Sequence, residues 1–246
     1  MKQTILSVAA LALALPALAQ QKPEQILQKY ITASGGTAAY AKVKSQIQKG
    51  TISMPAQGIT GNFTMSYKSP AKMVMNASLP GVGEIGQGYD GKNGWARDPF
   101  MGTRTLKGDE LAQILNELTL SNDPASYKKV FSKMEILPPG KVGKVKALRL
   151  KLTPKTGSPQ TLYFDATSYL LIRRDADITS PQGKIPSESY FTDYRTIDGV
   201  KMPFKTRTLA GPAEQIMTVT EVKNNIPIED SIFAKPASEP AGKTKM

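Results

Sequence analysis

Three short stretches of this chain have the residue types of a serine acyl-transfer site. Ser69-Pro70-Ala71-Lys72 and Ser126-Tyr127-Lys128-Lys129 both read S-x-x-K, and Lys155-Thr156-Gly157 reads K-T-G. In penicillin-recognising enzymes such a serine is the nucleophile, with the lysine close enough to share in proton transfer. That chemistry needs the serine at the head of a buried helix. Here Ser69 is followed by "KMVMNASLP", which alternates as a strand, the K-T-G lies in the turn "TPKTGSP", and no S-D-N element is present. The motifs have the letters of the site without its context.

Paired carboxylates are the other chemistry on offer, since glycoside hydrolysis needs only two acids at a set distance. The candidates are Glu84, Asp90, Asp98, Asp165, Asp175 and Asp177. Asp165 closes the strand "TLYF" and is followed by Thr167 and Ser168, side chains that bond to nearby amides and favour turns; it reads as a corner. In "RRDAD", Asp175 and Asp177 stand beside Arg173 and Arg174, where a solvated ion pair is the ordinary explanation. A calcium site there would lack the dense oxygen ligands of a calcium loop. Neither catalytic residues nor metal ligands are assigned, and no cofactor is expected.

Composition narrows the field further. The 246 residues include no cysteine and no histidine, which removes disulfides, thiol nucleophiles and the commonest general base and metal ligand. The opening "MKQTILSVAALALALPALAQ" has a lysine, an apolar run and an Ala-Leu-Ala ending. It reads as a secretory signal peptide over residues 1–19. No later segment has the ~20 apolar residues of a membrane helix. The expected mature protein is a soluble periplasmic domain over residues 20–236, with a disordered tail at 237–246. The net charge of +12 over the full sequence is spread rather than gathered into a run; export and scatter argue against nucleic acid and leave anionic surfaces as the attraction.

The elements that would position a site are mainly strands. "GNFTMSYKS" puts Phe63, Met65 and Tyr67 on one face, "AKMVMNASL" does the same for Met73 and Met75, and "ALRLKLTP" for Leu148 and Leu150. Asp90-Gly91, Asn93-Gly94 and Asp198-Gly199 are hairpin signals. Helices are predicted in "KPEQILQKYITASGG", opened by Pro23 and closed by Gly35-Gly36, and in "GDELAQILNELTL", with a stripe of Leu111, Ile114, Leu115 and Leu118; "DPASYKKVFSKM" adds a shorter one. The fold class is therefore mainly β with some helix (α+β), an antiparallel sheet with one dry face.

Several of the ten methionines fall on strand faces near aromatic residues. Met54, Phe63, Met65, Tyr67, Met73, Met75, Trp95, Phe100 and Met101, joined by Leu115, Leu148 and Leu150, are the candidate lining of an apolar cavity. Methionine adapts to ligands of variable shape, although the same residues could simply fill a core.

"PEQILQKYITASGG", "GYDGKNGWARDP", "LYFDATSYLLIRRD", "FTDYRTIDGVKMPFKTRT" and "NNIPIEDSIFAKP" together resemble the LolA-like outer-membrane lipoprotein-sorting proteins, in a longer bacterial subgroup. The likeness runs over nearly all the mature chain. It implies an incomplete antiparallel β-barrel with a few helices covering the mouth of its cavity. It also implies a non-enzymatic periplasmic carrier that holds lipoprotein acyl chains, or another lipid, between inner- and outer-membrane sorting partners. The missing cysteine fits the soluble carrier rather than a lipid-anchored receptor. An envelope interaction module with the same fold is the alternative, and a carboxylate-based hydrolase a more distant one.

Overall fold

The computed structural model describes residues 21–237. The expected signal peptide, and the tail from residue 238 onward, lie outside them.

Thirteen antiparallel strands form one sheet. The first six make a meander: β1 (Ser45–Met54), β2 (Ile59–Lys68), β3 (Lys72–Leu79), β4 (Gly83–Tyr89), β5 (Gly94–Asp98) and β6 (Gly102–Leu106). A second meander follows: β7 (Phe131–Val142), β8 (Val145–Pro154), β9 (Gln160–Asp165), β10 (Leu171–Ser180), β11 (Gly183–Ile197), β12 (Val200–Ala210) and β13 (Ala213–Asn224). β13 pairs with β1, so the halves join at mid-sheet and β6 and β7 become its free edges. Helix α3 (Gly108–Asn122) carries the chain from one edge to the other. α1 (Pro23–Ala33) and α2 (Gly36–Lys42) precede the sheet.

Register fixes the faces. Phe63 stands opposite Gly50 and Ala77, Met65 opposite Met75, and Tyr67 opposite Met73, as their alternation requires. The helices lie on this face: Ile26, Leu27 and Ile31 of α1 pack with Leu150, Leu152, Leu162 and Phe164, and Leu111 of α3 faces Gly94. The sheet curls around them. Gln182, at the β10–β11 turn, reaches Met101 at the β5–β6 turn across six intervening strands, Nε2 to Sδ 3.4 Å. The result is an open barrel with its helices on the concave side.

The Asp198-Gly199 turn has φ of 48° and 86°, the two positive values a type I′ hairpin requires. Asp165 is a corner, its carboxylate accepting from the amides of Thr167 (2.7 Å) and Ser168 (3.0 Å). The short helix expected at 123–134 is only a 3₁₀ turn, Pro124–Lys129, after which the chain becomes the edge strand β7. Its Pro138 and Pro139 are tolerated because an edge has a free side and because a register shift between Leu137 and Gly140 absorbs them.

On the convex face, residues 226–235 form a strap. Ile228 and Phe233 pack with Val74 and Trp95, and the Trp95 indole N–H donates to the Phe233 carbonyl (2.9 Å). Lys68 and Lys72 grip Asp230, each at 2.7 Å, and hold its carboxyl at a pKa of about 2. A carboxylate depressed below its unfolded value of ~4 contributes above that value and loses its contribution as pH falls through the folded one. The protection factors of the strap amides, with the intrinsic pH dependence of exchange divided out, are therefore expected to be flat from neutrality to about pH 4 and to fall as pH drops from there toward 2. Strap amides that stay equally protected across that window would show the two lysines to be incidental.

Candidate functional site

The concave face divides into three zones. Over β7–β9 it is covered, because α1 lies directly on it and leaves Leu150, Leu152 and Phe164 with no exposed surface. Over β1–β4, β12 and β13 the wall has a buried base of Ile52, Phe63, Ala77, Leu79, Phe204 and Val219. Packed on that base, partly buried, stand Met54, Met65, Met75, Met202 and Met217, with Ile59 and Ile85. No helix residue belongs to this cluster. Five flexible thioether side chains at the surface of an apolar wall can re-pack around a guest.

Between the two zones runs a polar band. The Ser189 and Thr208 hydroxyls share a hydrogen bond (3.0 Å), and the Ser187 hydroxyl donates to the Ala176 carbonyl (2.7 Å). Arg174 donates to Glu117 of α3 (3.0 Å), while its Nε is buried without a partner. A hollow of about 50 Å³ opens here between α3 and β10. Apolar wall and polar band side by side match the two ends of an amphiphile.

α3 buries Ala112, Ile114, Leu118 and Leu120 and is also tied to the barrel by polar contacts. Glu110 takes two bonds from Arg104 (2.7 and 2.8 Å), and Asp109 pairs with Lys184 (2.6 Å). The Gln113 side-chain oxygen accepts from the Thr179 amide (2.8 Å), and Asn116 donates to the Thr156 carbonyl (3.3 Å). The ends of these bonds sit on β6, β10, β11 and the β8–β9 turn. Such contacts exchange readily with water, whereas the apolar residues of the helix would be exposed if it parted from the barrel.

A second hollow, about 220 Å³, lies at the other end of the concave face, among Ile31, Tyr40, Tyr67, Pro70, Asn122 and Pro124. Burial pushes the phenols of Tyr30, Tyr40 and Tyr67 above their ordinary pKa, so all three are neutral hydroxyls at physiological pH.

Of the sequence candidates, Met54, Phe63, Met65 and Met75 meet on the uncovered wall. Met73 shares their face opposite Tyr67, which lines the larger hollow. Leu115, on α3, is half-buried. Three groups fall elsewhere. Leu148 and Leu150 belong to the cluster under α1. Trp95 is on the convex face beneath the strap, where Gly88 leaves room for its indole. Phe100 and Met101 form an exposed turn, Phe100 at 84%. Sequence reasoning missed Phe204, Met202, Met217 and Val219, although "KMPFKTRTL" and "QIMTVTEVK" alternate visibly; nothing local says that β12 and β13 adjoin β1. The chemistry-bearing motifs do not assemble: Ser69, Ser126 and Lys155 sit in separate turns. Asp90 and Asp98 accept turn amides, and Asp175 accepts from Tyr163 and Arg173. Among the described residues no group of three or more acids is placed to hold a metal ion, and no helix is long and apolar enough to cross a membrane.

No protein-family profile matches the chain, and no curated protein sequence does. Solved structures do. A DUF1329 family protein from Desulfovibrio piger superposes with a TM-score of 0.58 at 13% identity, covering 87% of this chain and 98% of that one. A LolA superfamily protein from Nitrosomonas europaea gives 0.56 at 13% identity, covering 87% and 98%. A domain from Vibrio parahaemolyticus named for outer membrane lipoprotein sorting gives 0.55 at 11% identity, covering 86% and 97%. At these identities the likeness establishes the fold. The chain has the LolA-like open barrel.

Proposed function

We propose that this LolA-like barrel is an exported periplasmic carrier that holds the acyl chains of lipoproteins, or of another amphiphile, without catalysing a reaction on them. The single observation that carries the reading is the uncovered, methionine-lined wall on the concave face. Each methylene taken from water there contributes ~0.8 kcal/mol, so a partly enclosed chain is held firmly with no polar specificity. The neighbouring band of serine, threonine and the Arg174–Glu117 pair gives the polar end a place to rest. The names of two of the matched structures, a LolA superfamily protein and a lipoprotein-sorting domain, agree with this cargo class.

Residues 20–236 act as one carrying unit, and membrane-bound sorting partners supply and receive the cargo. α3 is the moving part, because it alone bridges the two sheet edges and polar ties that water can replace hold its exposed side. Hydrogen exchange at residues 108–122 is expected to change on lipid loading, while α1 amides stay as they were; an α3 equally protected with and without lipid would remove the gate. The carrier reading itself is tested by recovering the protein from its native envelope and identifying co-purified lipid or lipoprotein by mass spectrometry. Stoichiometric acylated cargo is the expected result. A protein recovered bare, and unable to take up diacyl lipid afterwards, would leave the fold without this job.

A further inference from the structure

Five hairpin turns encircle one end of the barrel and are built alike. Their residues are 54–59, 79–83, 99–102, 180–183 and 210–213, and none is charged, although 21% of the chain is. Each has one exposed proline: Pro55, Pro80, Pro99, Pro181 and Pro212. Each also has glycine at positive φ: Gly58, Gly102, Gly183 and Gly211 singly, and Gly81 with Gly83 in the second turn. The turns are neighbours in space: Gly83 meets Pro99, Gly61 meets Leu79, the Pro55–Gln57 turn contacts β13, and Gln182 closes the circle on Met101. Turns at the opposite end carry Lys72, Asp90, Lys92, Lys144, Asp165 and Asp198. The ring differs in kind from the opposite end; the further hairpin on its own side, β8–β9, lies outside the circle and carries Lys155.

We propose that the uncharged ring is a docking surface for a lipid bilayer, with Phe100 and Met101 entering the interface. A chain segment goes into a low-dielectric layer only if its polar backbone groups are satisfied and it brings no charge. Residues 99–102 bring no charge of their own, and the one carboxylate beside them, Asp98, stays at the base of the turn. The Phe100 and Met101 amides already donate to the Asp98 carboxylate, at 2.9 and 2.8 Å, and proline has no amide to satisfy. Of the charges flanking the ring, Lys184 is paired with Asp109 and Glu214 with Arg207, leaving Glu84 exposed. Phe100 protrudes at 84% exposure and Met101 at 41%. A protein partner is ordinarily recognised through a charged and hydrogen-bonding margin, and most of the charges around this ring are already paired with one another. The overall charge of +12 adds attraction to anionic head groups. Docking needs no bound cargo, so the inference stands apart from the carrier reading.

The test is flotation of the purified protein with phosphatidylcholine vesicles, with and without phosphatidylglycerol, at low and high salt. The protein is expected to float with pure phosphatidylcholine at both salt levels. Phe100→Asp is expected to reduce the bound fraction about tenfold, and Ile232→Asp, in the exposed strap, to leave it unchanged. In Phe100→Trp, phosphatidylcholine brominated on its acyl chains quenches the new indole; Trp95, 1% exposed beneath the strap, stays bright in the wild type. Met65→Asp, which spoils the cargo wall, still floats, so failure of docking and failure of cargo binding are told apart. Equal flotation of Phe100→Asp, an unquenched Phe100→Trp, binding confined to anionic vesicles and lost in salt, or capture of the ring by an envelope protein without lipid contact would each overturn the proposal.

Discussion

Met65→Asp is expected to weaken acyl-chain binding roughly a hundredfold, by the ~3 kcal/mol that a charged side chain costs in a hydrocarbon environment. Met65 is partly buried opposite Met75, at the surface of the wall rather than in its base. In the empty protein an aspartate there can turn toward water, so the fold survives and the penalty falls on the loaded state alone. Met65→Leu is the matched control: it keeps volume and apolarity and is expected to bind within a few-fold of wild type. Titration with a soluble single-chain amphiphile checks both variants, with thermal melting to establish that each is folded. If the aspartate binds as tightly as the leucine, the hydrocarbon lies elsewhere.

Trp95→Ala is expected to destabilise the protein by about 3 to 5 kcal/mol, the usual cost of deleting a large buried aromatic. Trp95 is 1% exposed, fills the space over Gly88, and holds the strap through the Phe233 carbonyl. For a chain of this size the melting temperature should drop on the order of 10 °C. Trp95→Phe separates the contributions, because it keeps most of the packing and loses about 1 kcal/mol with the N–H donor. Neither change touches the concave face, so cargo affinity measured below the melting transition should hold. A loss of cargo binding in folded Trp95→Phe would mean that the two faces are coupled.

Trp95 also shows where sequence reading fell short. It stands close in sequence to the methionine-rich strands and was grouped with them, but Gly94 and Ala96 share the inner face and the indole points outward. The informative signal was the alternation of Gly86 and Gly88 on the neighbouring strand, a cradle with no side chains to obstruct a large ring. Met54, Phe63, Met65 and Met75 were legible because a period of two places them locally and their hairpin partners are adjacent in sequence. Phe204, Met202 and Met217 complete the wall through the β1–β13 pairing, which joins the two ends of the chain with no nearby turn to announce it. Leu150 was read correctly as inward-facing. That α1 would cover it, and leave Met65 bare, is a tertiary choice that periodicity does not encode.

The most direct test of the central claim, that hydrocarbon lies on the methionine wall, is a methyl NMR titration of the protein labelled at its methionines. On adding a diacyl lipid, the methyls of Met54, Met65, Met75, Met202 and Met217 are expected to shift, while Met134, packed with the α1 cluster, stays in place. Lipid bound with those five methyls unmoved, or with shifts confined to Met134, would contradict it.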